Sequence, residues 1–344
     1  MTWWLYPVYI VLLVIVVFLS LKLADYVDLL DKKTKISGAF IGGVLLAAVT
    51  SLPELFTAIA SVTFVNNPSL VIGDILGSDI FDLIVLLLYT VLFFRTYRNS
   101  TQSKYNFIHL FALIVFYGLT AYAIFAPKEM QIMIGHVNLV SIIILAGYIA
   151  LLIFQPKSEN EEKEEANTKL SLKQITVLFT VCSLLLIGAS IGIAILSDKI
   201  INEISWLNGT VGGAILLGVA TSLPEVISTW SLFKKKNFDA AFSNMIGSCT
   251  FNFSILTIAN LLSWRNATIG SETFIATERG IFWSSQSAKY LTIFGLAVII
   301  ITLLIMFIGN FTKLNKKKPK LSFAINIMLV SAATACYILS LVGL

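Results

Sequence analysis

Two copies of a short polar motif lie inside long apolar segments of this chain. Thr-Ser-Leu-Pro-Glu occupies residues 50–54 and again residues 221–225. Each copy is followed, one apolar segment later, by Gly-Ser-x-x-Phe-Asp/Asn, at residues 77–82 and 247–252. A glutamate in hydrocarbon costs about 2.5–3.5 kcal/mol even on the lenient insertion scale, and intramembrane carboxylates mark functional sites. Two of them at matching places in two repeats predict a cation site where the repeats meet.

Helical spacing gathers the polar side chains of each motif on one face. The first face holds Ala47, Thr50, Ser51 and Glu54, and the second holds Gly218, Thr221, Ser222 and Glu225. On the segments that follow, Ser78 lies one turn before Asp82, and Ser248 lies one turn before Asn252. These four short faces contain the candidate ligands.

Proline adds backbone ligands to these faces. Pro53 and Pro224 have no backbone N–H, so each frees a carbonyl one turn earlier, near Val49 and Ala220. Within a membrane, such breaks are tolerated only where protein or a water-filled cavity supports them. Freed carbonyls are suitable ligands for hard cations.

The candidate ligands are carboxylates, hydroxyls, an amide and carbonyls, which bind through oxygen. Ca²⁺ takes about six to eight oxygen ligands, whereas zinc and copper prefer nitrogen and sulfur, of which the motifs offer only Cys249. No cofactor is predicted. The acidic residues inside apolar segments are Glu54, Asp74, Asp79, Asp82 and Glu225. They have no basic neighbour in those segments, so either cations neutralise them or some are protonated.

Composition places the chain in a membrane. Its 344 residues are 57% hydrophobic and 12% charged, against about 25% charged in soluble domains. An all-α membrane fold follows, because each helix satisfies its own backbone. Apolar runs of about 20 residues predict ten spans. They cover residues 3–23, 37–65, 68–94, 105–126, 130–155, 174–197, 209–233, 238–263, 290–312 and 321–343. We interpret the first as a retained helix and not as a signal peptide.

The distribution of charge predicts the topology. Most of the 24 Lys and Arg residues fall in the odd-numbered loops, which places those loops in the cytoplasm and both termini outside. The first motif then runs outward and the second inward. Residues 1–155 and 174–344 are therefore predicted to be inverted repeats of five spans each, joined by a charged cytoplasmic linker at 156–173. The external loop 264–289 receives no functional interpretation.

The paired motifs resemble the two alpha-repeats of the sodium/calcium exchanger family. The resemblance implies four central helices around a diamond of ion sites, with the first and sixth spans sliding past them. It implies that Glu54 and Glu225 hold Ca²⁺ together with backbone oxygens of the motif threonines. The residues implied for flanking Na⁺ sites are Ala47, Ser51, Ser78, Gly218, Ser222 and Ser248.

The first repeat is more acidic than the family pattern. Asp82 stands where many relatives carry an amide, and Asn252 stands where they carry a carboxylate. Asp79 and Cys249 replace a usual asparagine, and Asp74 replaces another. These differences leave proton-driven or K⁺-dependent transport open beside Na⁺ coupling.

We expect a secondary antiporter of the cell membrane in which Na⁺ entry drives Ca²⁺ export by alternating access. The alternative is H⁺-driven or K⁺-dependent export of Ca²⁺ or another divalent cation. An intramembrane aspartyl protease would need a second buried aspartate, which the second half does not offer, and a channel would not need a counter-ion. The predicted partners are inorganic cations and the lipid bilayer, with no enzymatic activity, no nucleic acid and no protein partner.

Overall fold

A computed structural model describes residues 3–33, 50–100, 102–153, 170–204, 207, 209–269, 272–282, 285–312 and 314–342. The described chain is mostly helical, as the absence of backbone partners in lipid requires. Ala47, Val49 and nearly all of the charged linker lie outside these ranges, so the predictions made for them stay predictions.

The long helices divide between the two halves of the chain. The first half contains α1 (Leu5–Lys33), α2 (Leu52–Ala60, continued by a π-helical turn at Ser61–Val65), α3 (Pro68–Leu92), α4 (Lys104–Phe125) and α5 (Leu139–Ile153). The second half contains α6 (Leu172–Glu203), α7 (Gly209–Thr221), α8 (Leu223–Lys234), α9 (Phe238–Leu262), α10 (Gln286–Phe307) and α11 (Pro319–Val342). A π-helical turn at Gly213–Gly218 lies inside α7, and another at Ile308–Thr312 extends α10.

Short elements connect the helices. Single helical turns cover Phe94–Tyr97, Ala276–Arg279 and Leu314–Lys317, and a 3₁₀ turn covers Lys128–Met130. Two antiparallel hairpins pair β1 (Met133–Ile134) with β2 (Val137–Asn138), and β3 (Ala267–Ile269) with β4 (Glu272–Phe274). The second hairpin and the turn at Ala276–Arg279 occupy the loop predicted at 264–289.

A helix is present in each of the ten predicted spans, but not all of these helices are long enough to cross a bilayer alone. Within the described ranges, seven helices are sufficiently long and apolar, or eight if α7 and α8, bent by 45°, form one span. Leu52–Val65 and α5 are shorter apolar helices. The count of ten crossings and the inverted order of the repeats stay predictions.

The predicted start of the fifth span was wrong. The fifth span was predicted from residue 130, but α5 begins at Leu139 because residues 128–138 form a turn and the β1–β2 hairpin. Gly135 supplies the positive φ of 65° that this hairpin turn requires. The first span was predicted at residues 3–23, and the stretch of α1 that is apolar enough to cross a membrane is Leu5–Leu23, although the helix itself continues to Lys33. A helix need not stop at the hydrocarbon boundary, and a Lys22–Asp25 ion pair of 3.5 Å lies where the apolar stretch of α1 ends.

The centre of the molecule is formed by α3 and α9. The apolar stretch of α3 is 67% buried and that of α9 is 78% buried, against 28% for α1 and for α6. The outer helices α1 and α6 pack on one another through a cluster that includes Val16, Leu19, Leu186 and Ile193. The two Gly-Ser-x-x-Phe motifs are therefore carried by deeply buried helices, and α1 and α6 lie at the edge.

Glycines bring α3 and α7 into backbone contact. A Cβ atom on Gly73 would lie 2.0 Å from the carbonyl oxygen of Thr210, and one on Gly213 would lie 2.4 Å from that of Leu70. Small residues allow such close approach of membrane helices, where packing replaces the hydrophobic effect as the driving force. This contact ties the first half of the chain to the second next to the polar motifs.

We predict that Gly73→Ala destabilises the protein, because the added methyl group overlaps backbone that cannot rotate away. The expected loss is about 1–3 kcal/mol, as for other overpacked sites. The matched control is Gly118→Ala on α4, where no heavy atom lies within 4 Å of the added Cβ. Thermal unfolding in detergent measures both variants, and equal melting temperatures would contradict the close contact.

Candidate cation site

Each Thr-Ser-Leu-Pro-Glu motif contains the first residues of a helix. Ser51 precedes α2 and Ser222 precedes α8, with proline in the first turn of each helix. Proline suits that position because the first backbone N–H groups of a helix have no partner within it. Regular bonding then resumes, with Leu55 N donating to Ser51 O at 3.1 Å and Val226 N to Ser222 O at 3.1 Å. The 45° bend between α7 and α8 therefore falls at the second motif.

A buried triangle joins Ser51, Glu225 and Ser248. Ser51 Oγ donates to Glu225 Oε1 at 3.1 Å, and Ser248 Oγ donates to the same oxygen at 3.2 Å. The two hydroxyl oxygens lie 2.6 Å apart. The three residues come from the start of α2, from α8 and from α9. Motifs from both halves of the chain thus meet at one carboxylate.

The two motif glutamates are buried in the same region. Glu54 is 1% exposed and Glu225 is fully buried. Glu225, Asp74 and Asp82 all lie close enough to Glu54 to add to the negative potential at its carboxylate. Glu54 Oε2 and Glu225 Oε2 have no hydrogen-bond donor among the described residues. These oxygens have free lone pairs in a region of concentrated negative charge.

Asp82 increases that concentration. It is 1% exposed, and neither of its carboxylate oxygens receives a hydrogen bond from the described part of the chain. Ser222 lies near Asp82, but its hydroxyl is not in hydrogen-bonding geometry with any described group. Asp82 and Ser222 thus also have oxygens available to an ion.

Asp79 contacts the opposite repeat. Asn252 Nδ2 donates a hydrogen bond to Asp79 Oδ1 at 2.9 Å. The same amide group donates to Ser78 Oγ at 3.3 Å. Asn252 thus joins two neighbouring residues of α3, and its own Oδ1 has no partner among the described residues. Asp79 is fully buried.

Asp74 is buried and accepts hydrogen bonds from two threonines. It is fully buried, so it is not a hydrated residue at the end of a span. Thr57 Oγ1 donates to its Oδ2 at 2.8 Å, and Thr221 Oγ1 donates to its Oδ1 at 3.4 Å. Sequence reasoning missed Thr57. Extending the Thr50–Glu54 face by one more helical turn would have found it.

A matching contact occurs in the second half. Asn244 Nδ2 lies 3.0 Å from Ser228 Oγ, at the places that correspond to Asp74 and Thr57 relative to their motifs. The helices that carry Asp74 and Asn244, α3 and α9, each have 25 residues. The two halves therefore repeat a structural contact as well as the motifs, with a carboxylate in one copy and an amide in the other.

The remaining candidates have different surroundings. Thr50 is buried beside Glu225. Thr221 also donates to Leu217 O at 2.9 Å. Gly218 packs on α3, where an added Cβ would lie 2.8 Å from Ser78 N. Ala47, the last candidate, lies outside the described residues.

The site is acidic and rich in hydroxyl groups. The ion pairs seen in the described ranges are Lys22–Asp25 and Lys128–Glu278, and both lie away from it. No three His, Cys, Asp or Glu side chains of the described chain gather into a metal centre. Coordination of a cation here would therefore need hydroxyl and carbonyl oxygens in addition to carboxylates.

Comparison with solved structures finds the same fold. The chain is similar to the sodium-calcium exchanger NCX_Mj soaked with 100 mM Na⁺ and 10 mM Sr²⁺, with a TM-score of 0.55 and 17% identity over 96% of this chain and 99% of that chain. It is also similar to native YfkE, with a TM-score of 0.64 and 15% identity over 96% of this chain and 90% of that chain. No curated protein sequence matches it.

Comparison with protein families gives a match over both halves. Residues 4–157 and 174–344 match the family described as sodium/calcium exchanger protein. The match leaves out residues 158–173, most of the predicted charged linker. The family match and the apolar helices together identify the protein as a multi-pass membrane transporter of cations. The chain belongs to the sodium/calcium exchanger family.

Proposed function

We propose that this protein exchanges Na⁺ for Ca²⁺ across the cell membrane by alternating access. The observation that carries the proposal is the set of buried carboxylate oxygens without donors on Glu54, Glu225 and Asp82. They lie where α2, α3, α8 and α9 meet, with no described basic side chain paired to them. Uncompensated buried charge is unfavourable, so mobile cations are the natural partners of this site.

Different residues are proposed as ligands for Ca²⁺ and for Na⁺. Glu54 and Glu225 hold Ca²⁺ with backbone oxygens of Thr50 and Thr221. The flanking Na⁺ ions bind to hydroxyls and to carbonyls freed near the motif prolines. The residues proposed for Na⁺ are Ala47, Ser51, Ser78, Gly218, Ser222 and Ser248. Asp82 and Asn252 complete the centre, and the Ser51–Glu225–Ser248 triangle supports a binding place shared between the repeats.

Coupling follows from shared ligands. The same carboxylates accept either one divalent ion or several monovalent ions, but not both at once. If the protein switched between its two orientations with an empty site, negative charge would be left unpaired in a region of low dielectric constant. The conformational change is therefore unfavourable when no cation is bound. Exchange of one ion type for the other is then the favoured cycle. Structures of the similar protein NCX_Mj were obtained in Na⁺ with Sr²⁺ and in Na⁺ with Ca²⁺.

The topology of the proposal is that of two inverted repeats with both termini outside. The repeated contact of Asp74 with Thr57 and of Asn244 with Ser228 supports the duplication. The edge position of α1 and α6 supports their movement as a pair past the central helices.

A second candidate is H⁺-driven or K⁺-dependent export of a divalent cation. The observation that favours proton coupling is the number of carboxylates on α3, where Asp74, Asp79 and Asp82 are all buried. A carboxylate can exchange a bound cation for a proton, whereas hydroxyl ligands such as Ser51 have no role in holding a proton. The hydroxyl-rich motifs therefore favour Na⁺ as the main counter-ion.

Replacing either motif glutamate by glutamine is expected to abolish Ca²⁺ uptake into Na⁺-loaded vesicles. The substitution preserves side-chain size but removes the charge that holds the divalent ion. Uptake of ⁴⁵Ca²⁺ into proteoliposomes that contain Glu54→Gln or Glu225→Gln is the measurement. Glu129→Gln, on an exposed turn, is the matched control and should transport normally. Near-normal uptake by either motif variant would reject the assignment.

Ser51→Ala is expected to weaken Na⁺-driven exchange about tenfold, equivalent to about 1.4 kcal/mol. The variant removes hydroxyl contacts to both Glu225 and Ser248. The measurement is the Na⁺ concentration that gives half-maximal ⁴⁵Ca²⁺ exchange. Ser61→Ala removes another buried hydroxyl, one without a described partner, and should leave this concentration unchanged. An equal shift in both variants would show that the effect is not specific to the site.

The counter-ion is expected to be Na⁺. Proteoliposomes with separately imposed Na⁺, K⁺ and pH gradients should take up ⁴⁵Ca²⁺ only when Na⁺ leaves the lumen, since the hydroxyl ligands serve Na⁺ and not H⁺. Uptake driven by a pH jump in the absence of Na⁺ would replace this proposal with the proton-coupled one. Uptake that needs no gradient and carries single-channel current would reject antiport altogether.

A further inference from the structure

A cleft at one end of the helix bundle combines basic and apolar side chains. It has a volume of about 680 Å³ and lies between the end of α3, the following turn at Phe94–Tyr97 and the start of α11. Its basic side chains belong to Arg95, Arg98 and Lys320. The cleft is separate from the cation site, which lies near the middle of α3.

The three cations have no carboxylate partner in the described chain, where the ion pairs are Lys22–Asp25 and Lys128–Glu278. The cleft is also lined by Pro319, the first residue of the 24-residue α11, whose N-terminal end adds partial positive charge. Both features favour an anionic group at this place. Guanidinium groups in particular match the geometry of phosphate oxygens.

The remaining wall of the cleft is formed by exposed apolar side chains. Leu92 is 59% exposed and Phe323 is 38% exposed. Phe323 packs on Phe94 with ring centroids 5.1 Å apart, which joins α11 to the turn after α3. A small soluble anion would gain nothing from these surfaces, whereas the acyl chains of a phospholipid would cover them.

We propose that this cleft binds one anionic phospholipid of the surrounding membrane. The headgroup phosphate lies between Arg95, Arg98 and Lys320, and the acyl chains run along Leu92 and Phe323. Basic pockets between transmembrane helices are suited to such headgroups. The bound lipid ties the end of α3 to the start of α11.

The test is native mass spectrometry of the full-length protein with palmitoyl-oleoyl phosphatidylglycerol, at matched phosphatidylcholine and inorganic phosphate concentrations. The cleft variant combines Arg95→Gln, Arg98→Gln and Lys320→Gln. The matched control removes three charges elsewhere, with Lys234→Gln, Lys235→Gln and Lys236→Gln. Phosphatidylglycerol should stay bound to the unaltered protein and to the control, and its retention should fall at least fivefold in the cleft variant.

Equal retention by the cleft variant and the control, or equal retention of phosphatidylcholine, would overturn the proposal. Inorganic phosphate that prevents phosphatidylglycerol from binding at equimolar concentration would also overturn it, because it would show that the lipid chains contribute nothing. If the triple variant does not fold, Lys320→Glu alone reverses one exposed charge. It should lower retention at least threefold, and unchanged retention would again reject the site.

Discussion

The central constraint on this protein is the burial of carboxylate groups that have no fixed positive partner in the described part of the chain. Glu54, Glu225 and Asp82 have carboxylate oxygens that receive no hydrogen bond from the described chain, in the interior of an apolar protein. Removing such groups from water is unfavourable unless something compensates them. Basic side chains would do so permanently and would leave no need for an ion. The lack of a described basic partner suits a protein that carries cations.

Helix breaks and close backbone packing make this arrangement possible. Proline at the second position of α2 and of α8 starts each helix next to a motif serine, which places the hydroxyls of Ser51 and Ser222 at the helix starts. The contact of α3 with α7 through Gly73 and Gly213 then brings the two halves within reach of one another. Ser51 and Ser248 can thereby reach the same oxygen of Glu225.

The two halves share one corresponding contact that differs in charge. Asp74 with Thr57 and Asn244 with Ser228 form corresponding contacts, yet only the first includes a carboxylate. On the next turn of α3, Asp79 accepts a hydrogen bond from Asn252. Asp74 and Asp79 thus accept hydrogen bonds from hydroxyl and amide donors, whereas Asp82 receives none from the described chain. This asymmetry is the physical basis for testing proton coupling beside Na⁺ coupling.

The sequence alone determined the membrane class, the repeated motifs and most helices, because hydrophobic length and motif spacing are local properties. It also identified the intramembrane glutamates, since a charged residue in an apolar run is conspicuous. Only the tertiary structure decided that Asp74 is bonded to Thr57, that Asp79 meets Asn252, and that residues 128–138 form a turn and hairpin before α5. Those outcomes depend on which helices pack together and at what depth, and helical spacing within one segment carries no information about its neighbours.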